Sequence, residues 1–330
     1  MYKAGIIGCG NIATQIDNDS LRKEIWTHEK AYLSHPKINL VSASDSDLDK
    51  LNSMNSCYNL YTDYLTMVTE EQLDIVSVCT PTNTHKEIIE KLCKTKVKSI
   101  FCEKPVAELS ASGRDIAKVC KQNDIVIAVN FMRRWDPVFK KVKALLDNGE
   151  IGKLQTITAH TGTALLMSAS HLIDTILFLA GNIKSLYGKL QRDFVRNVHG
   201  QDDFGGHAYF ETVQGVSGFL KATATSEDHL PFELDLIGSK GRIRIFNYGN
   251  EIEMSKFGDH QFMSRYKNWH TVKVNYKKEE RMLNAIDDII RCIKNKKEPA
   301  SNAYTATYVN DFIEAIYESD RNNSIVNISY

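Results

Sequence analysis

A short apolar strand, Ala4–Ile7, runs directly into Gly8-Cys9-Gly10-Asn11-Ile12-Ala13, and no other stretch constrains the fold as much. This is the G-x-G-x-x-G/A arrangement. Its first glycine permits a tight turn, and its second lets the backbone approach a pyrophosphate. A small third residue lets the following helix pack on the strand, with the helix N-terminus facing the phosphates. The hexapeptide alone is weak, because glycine-rich turns also serve purely structural ends; its place straight after a strand gives it weight. Gly8, Gly10, Asn11 and Ile12 are therefore read as dinucleotide contacts.

The strand is the first of a series. Asn39–Ser44, Ile75–Cys79, Ser99–Cys102 and Ile125–Asn130 are further short apolar runs, separated by helical stretches such as Lys86–Lys94 and Ala111–Lys121. Strand–helix alternation with near-continuous apolar strands predicts a doubly wound parallel sheet covered on both faces, a Rossmann domain over residues 1–131. Beyond it the texture changes. Phe139–Leu146 and Leu172–Leu179 read as helices, and Ala208–Val213, Val216–Thr225, Glu233–Ile237, Arg242–Phe246 and Thr271–Asn275 read as alternating strands. Arg281–Lys294 and Tyr304–Ser319 follow as helices and Ile325–Ile328 as a short strand. This grouping predicts an α+β domain over residues 132–330 on a mainly antiparallel sheet, so the fold class is α/β with two domains.

The 41 basic residues balance 41 acidic ones without a block of like charge, which argues against nucleic acid or a membrane surface as partner. With no long apolar run, a cytoplasmic location is expected. Seven cysteines without a C-x-x-C pair fit reduced thiols, and the ten histidines form no H-x-x-x-H, so no metal is expected.

Dinucleotide folds of this kind place an acid at the end of the second strand, about 20 residues past the glycines. Asp45 ends the second run but lies further along, so residues 14–35 are read as an insertion. The alternative is a surface aspartate opening a turn. A carboxylate at that point accepts from a ribose diol and repels a 2′-phosphate, favouring NAD over NADP.

Several further blocks, in order, resemble the Gfo/Idh/MocA oxidoreductase family. They are Cys79-Thr80-Pro81-Thr82-Asn83-Thr84-His85, Phe101-Cys102-Glu103-Lys104-Pro105, Asn130-Phe131-Met132-Arg133-Arg134-Trp135-Asp136-Pro137 and Ser170-His171-Leu172-Ile173-Asp174. The resemblance covers most of the first 180 residues by motif and the remainder by texture. It implies a second domain with a large open sheet, a homodimer or homotetramer built through that sheet, and redox chemistry on sugars, cyclitols or nucleotide sugars. It also implies that Lys104 and His171 sit beside the nicotinamide, with Lys104-Pro105 often cis, and that Thr80, Pro81, Thr82, His85, Glu103 and Lys104 belong to the cofactor-binding set.

Chemistry supports the two central roles. Oxidising a secondary alcohol removes a hydride from carbon and a proton from oxygen; the cofactor takes the hydride and the protein must take the proton. Histidine, with an ordinary pKa of about 6.5, can carry it near neutrality. A lysine at the C-terminal end of a strand can hydrogen-bond the reacting oxygen and stabilise a developing alkoxide. Arg134, Trp135 and Asp174 are read as substrate-facing. The alternatives are a fold ion pair for the arginine, core packing for the tryptophan, and orientation of the His171 imidazole by Asp174. One departure stands out: many family members carry an aspartate four residues before the histidine, where this chain has Met167. Thioether sulfur is neither a useful hydrogen-bonding partner for a hydroxyl nor an acid or base. Three readings follow: an NAD-dependent sugar or nucleotide-sugar oxidoreductase, a non-catalytic cofactor-binding regulator, or an NAD-dependent glycosidase that recycles its hydride.

Overall fold

The structure, a computed structural model, describes every residue except 53, 55, 56, 199, 200, 226–230, 260–262 and 264–266. Two compact units emerge, Met1–Asp136 with Glu279–Thr307, and Pro137–Lys278 with Tyr308–Tyr330. The expected division at residue 131 differs from this one. The first unit runs on to Asp136 and takes back a stretch that the sequence reading had placed in the second.

Along the first unit come β1 (Tyr2–Ile7), α1 (His28–Ser34), β2 (Ile38–Ser44), α2 (Leu48–Asn52), β3 (Asn59–Tyr61), α3 (Tyr64–Glu71), β4 (Ile75–Val78), α4 (Thr82–Leu92), β5 (Ser99–Cys102), α5 (Ser110–Gln122) and β6 (Val126–Val129). The strands form one parallel sheet in the order β3-β2-β1-β4-β5-β6. Strand order reverses between β1 and β4, and open α/β sheets bind ligands outside the C-terminal ends of strands at such a point. β4 and β5 are buried at every position, which is why they read as unbroken runs of apolar and small residues. The sequence reading missed β3, which has only three residues and buries none of them.

The second unit contains α6 (Pro137–Asp147), β7 (Leu154–Thr161), α7 (Ser170–Ala180), β8 (Ile183–Val198), β9 (Gln201–Thr212), β10 (Ser217–Ala222), β11 (Phe232–Gly238), β12 (Gly241–Phe246), β13 (Glu251–Asp259) and β14 (Lys267–Val272). Next, α8 (Arg281–Asn295) belongs to the first unit. There Met282, Ala285, Ile286, Ile289 and Ile290 join the core that holds Ile6, Ile75 and Phe101, which explains the reassignment. The last helix, α9 (Ala303–Asn322), begins in the first unit and ends in the second, followed by β15 (Val326–Asn327). The described strands form a nine-stranded sheet, β14-β13-β12-β11-β7-β10-β9-β8-β15, antiparallel except for the β7/β10 pair. Sequence patterning missed β7, β8 and β13. In β8 the charges at Lys184, Lys189, Arg192, Asp193 and Arg196 mask an alternation that buries only Ile183, Leu186 and Gly188 among residues 183–197.

One face of this sheet is packed. Phe312 of α9 lies edge-on to Phe210 of β9 at 5.6 Å between ring centroids, and Ile316 packs so close to Gly188 that a Cβ there would lie 3.1 Å from its side chain. The opposite face carries Tyr209, 61% exposed, with its ring 4.8 Å from that of Phe219 on β10. Among the described residues no helix is long and apolar enough to cross a membrane.

Candidate dinucleotide and catalytic site

The glycine loop has the form its sequence demands at two points. Gly8 has φ +88°, and a Cβ there would lie 2.9 Å from the Cys79 carbonyl carbon, so strain and contact with the end of β4 both exclude a side chain. At Gly10 a Cβ would meet nothing within 4 Å, so the backbone is open on that side. Ala13 is fully buried. Asn11 is exposed and Ile12 half-buried. The expected regular helix after the loop is replaced by a single wide turn at Asn11–Gln15 and a tight turn at Ile16–Asn18. The cause is Asp17, whose carboxylate accepts from the backbone N–H groups of Trp26 and Thr27 and from the Thr27 hydroxyl, at 2.9–3.1 Å. Those bonds turn residues 14–27 into an ordered loop that ends at Thr27, the N-cap of α1.

Asp45 directly follows β2, and its Oδ2 accepts from the Cys9 N–H in the middle of the glycine loop at 2.8 Å. Its other oxygen accepts from the Asp47 N–H at 2.9 Å, and the Lys50 ammonium stands 3.6 Å away. An ionised carboxylate has about four lone-pair sites, so two backbone bonds leave capacity for a ribose diol. An open backbone at Gly10 with an acid pinned to the same loop fits a dinucleotide. The neighbouring thiols are not nucleophiles: burial, then the Asp45 charge, pushes Cys9 up to about 12, and burial holds Cys79 and Cys102 well above their ordinary value.

Thr80 and Pro81 lie between β4 and α4, Thr82 opens α4, and Glu103 and Lys104 directly follow β5. Since β1, β4 and β5 run side by side in that order and all parallel, these residues and the glycine loop lie at the same edge of the sheet. The Lys104–Pro105 peptide is cis. His85, expected among the cofactor contacts, has a different part. It is 1% exposed, with Nδ1 3.0 Å from the Pro105 carbonyl and Nε2 2.9 Å from that of Thr80, so it sits beneath the two loops, and a neutral ring donates to one of those carbonyls. Burial lowers its pKa.

Glu103 also turns inward. Its Oε1 accepts from His28 Nε2 at 3.0 Å and from the Asn130 amide at 2.6 Å, and its Oε2 accepts from the Lys104 backbone N–H at 3.2 Å. Burial pushes this carboxyl up, but the His28 and Asn130 hydrogen bonds and the Lys104 charge outweigh it and hold it below the usual carboxylate range. His28 Nδ1 lies 2.8 Å from the Ser77 hydroxyl, which lies 2.7 Å from that of Tyr32. Sequence reading missed His28, Ser77 and Asn130. Thr27, an N-cap residue just before a helical pattern, was the one available signal for His28.

Three proposed substrate contacts are corrected. Trp135 is 1% exposed; its indole N–H donates to Asp288 of α8 at 2.8 Å and its ring meets Phe101 edge-on, so it is a core residue. Arg134 is buried too, donating to the Ala300 carbonyl at 3.3 Å. In the second unit Asp174 is fully buried, which leaves no face for a sugar hydroxyl. His171 is half-buried in the first turn of α7. The turn before it, Leu165–Ala169, carries Met167 at the non-helical φ −81°, ψ −118°. The bonds that hold that turn include Leu166 N–H to the fully buried Asp203 at 2.9 Å, Ser168 N–H to the Thr163 hydroxyl at 3.1 Å, and the Ser170 hydroxyl to the Leu166 and Met167 carbonyls.

Comparison with known proteins agrees with this arrangement. Residues 2–131 match the model of an oxidoreductase family with an NAD-binding Rossmann fold, and residues 143–328 match that family's C-terminal α/β domain. The chain is 31% identical over 154 residues to the myo-inositol 2-dehydrogenase of Thermotoga maritima, covering 46% of this chain and 42% of that one. It is 20% identical to the NADP-dependent D-xylose 1-dehydrogenase of Haloarcula marismortui, covering 77% and 74%. The chain thus spans less than half the length of the inositol enzyme it matches. Among solved structures, the WlbA dehydrogenase of Bordetella pertussis, in complex with NADH and UDP-GlcNAcA, superposes with a TM-score of 0.80 at 19% identity, over 100% of this chain and 99% of that one. By both domain models, the chain belongs to the Gfo/Idh/MocA oxidoreductase family.

Proposed function

We propose that the protein is a nicotinamide-dependent dehydrogenase or reductase acting on a secondary alcohol or ketone of a sugar, with NAD preferred. What supports this reading is that the open backbone at Gly10, the anchored Asp45 and Lys104 follow the C-terminal ends of β1, β2 and β5 in one parallel sheet. Bound along that edge, the cofactor supplies hydride acceptance and donation. The chain's own groups handle the oxygen. Lys104 hydrogen-bonds it and stabilises negative charge as it develops, and His171 accepts the proton that leaves it. A nucleotide-linked sugar is the finer proposal, since the Bordetella relative was crystallised with one. A panel of sugars, cyclitols and nucleotide sugars with NAD and NADP, followed by absorbance of the reduced nicotinamide, tests this. Net reduction supports a dehydrogenase, and glycoside cleavage without net reduction points to hydride recycling.

A second reading rests on Met167. With a thioether where the family resemblance implies an acid in many members, a cofactor-binding regulator without turnover fits the same residues; tight NAD binding and no turnover across the panel favour it. We also propose a homodimer or homotetramer joined through the second sheet, supported by the exposed Tyr209, whose ring packs against the half-buried Phe219. Light scattering at micromolar concentration tests it, and a monomer rejects it.

A further inference from the structure

The loop of residues 14–27 leads into α1, whose first residue, His28, is fully buried. It is bound firmly on the way. Besides the Asp17 bonds, the Ile25 N–H donates to Glu280 at 2.9 Å, and the Arg281 guanidinium lies 4.1 Å from the Trp26 ring centroid. The imidazole then stands with its faces against apolar groups, its ring centroid 4.5 Å from that of Phe101, and with both nitrogens hydrogen-bonded.

The donors along this line can be ordered. An ionised Glu103 is acceptor-only, so His28 Nε2 must carry the hydrogen. In the neutral ring Nδ1 then accepts from the Ser77 hydroxyl, which in turn accepts from Tyr32. Burial pushes the Tyr32 phenol upward and keeps it a donor. The sequence hydroxyl–imidazole–carboxylate has the order of a nucleophilic triad. Here it is none, since Ser77 is fully buried inside β4 and reaches no substrate. Its output is at the other end, where Glu103 accepts from the Lys104 backbone N–H and places its charge beside Lys104.

We propose that His28 is a positioning residue for Lys104, acting through the rotamer of Glu103. The inference deepens the proposed reaction and rests on that reading for its kinetic consequence, but its structural consequence exists without a substrate. Three donors hold the Glu103 carboxylate in one orientation: His28 Nε2 and Asn130 on one oxygen, the Lys104 N–H on the other. Removing the His28 donor frees the carboxylate to rotate, and the Lys104 turn and its nearest negative charge move with it. Groups misplaced by about 1 Å cost rate far beyond their binding contribution.

Two substitutions of similar size and polarity separate positioning from mere packing. Glutamine can present a donor where Nε2 stands, and asparagine can present a polar atom only where Nδ1 stands. The first readout needs no turnover: lysines are reductively methylated with 13C, the Lys104 signal is assigned by its loss in Lys104→Arg, and it is followed by NMR in the intact chain. His28→Asn should shift that signal, and His28→Gln should leave it near the wild-type position. The second readout is kinetic, with the substrate found by the sugar panel. His28→Asn should lower kcat about tenfold with KM within about twofold, and His28→Gln should recover most of that loss. A Lys104 signal indifferent to His28→Asn, or moved equally by both variants, overturns the inference. Equal losses of kcat in the two variants overturn it as well. If no sugar turns over while the Lys104 signal still separates the variants, the reaction has been misread and the positioning role stands.

Discussion

In the parallel sheet β4 and β5 are buried at every position, whereas in the mixed sheet β11 and β12 alternate buried with half-exposed residues. A strand covered on both faces has no side-chain position from which to address solvent, so its chemistry is pushed to its end. Glu103, Lys104, Thr80 and the glycine loop all obey that rule. A strand covered on one face keeps every second residue free along its whole length, and Tyr209 and Phe219 use that freedom. The difference teaches where to look in each unit: the strand ends in the first, the strand faces in the second.

The largest expected effects test whether chemistry is confined to the first unit. Lys104→Ala and His171→Ala should each lower kcat by about 10²–10⁴ while leaving the NAD dissociation constant within a few-fold. Near-normal kcat in His171→Ala, measured with a substrate in hand, would leave the proton transfer to the first unit alone. Next come the two kinds of aromatic residue. Phe101→Ala, deep in the parallel sheet against His28 and Trp135, should cost about 3–5 kcal/mol in urea unfolding. If it costs no more than a surface change, the core assignment fails.

A smaller effect concerns cofactor choice. Asp45→Ala should narrow the NAD-over-NADP ratio by about tenfold, equivalent to about 1.4 kcal/mol, read by titrating both cofactors. An unchanged ratio would show that Asp45 serves only to brace the Cys9 N–H, with Lys50 offsetting its charge. The acid limb of stability gives a fourth check. Glu103 is held below its unfolded value of about 4.3, so its contribution is complete above that pH and is lost as pH falls through the folded value. Glu103→Gln should therefore be destabilised at neutrality, with the gap to wild type closing below about pH 4. A gap that persists undiminished into acid contradicts the ionised assignment. The smallest effect is expected on the open face, where Tyr209→Ser should change the unfolding free energy of the separated chain by no more than about 0.5 kcal/mol. A larger loss would mean that this face is packed within the chain itself.

How much was legible depended on the range of the physics. The glycine loop could be read because its constraint is local: a positive φ at Gly8 and an empty Cβ position at Gly10 are properties of a few consecutive residues. The motifs after β4 and β5 were legible through the family resemblance that their residues carry. Trp135 and Arg134 were misassigned because their partners, Asp288 and Ala300, lie more than 150 residues away in sequence. β8 went unseen because its many charges sit on a strand that buries few side chains.

From sequence alone came the α/β class, the dinucleotide loop, the acid at the end of β2 and most of the helices. These depend on backbone preference and apolar period, which a chain declares locally. Tertiary structure decided that α8 joins the first core, that His85 braces loops from below, and that an ordered loop carries His28 to Glu103. Each of those depends on which buried donor finds which acceptor across the fold. A buried polar group must be satisfied, but its partner can come from any strand or helix that packing brings within reach.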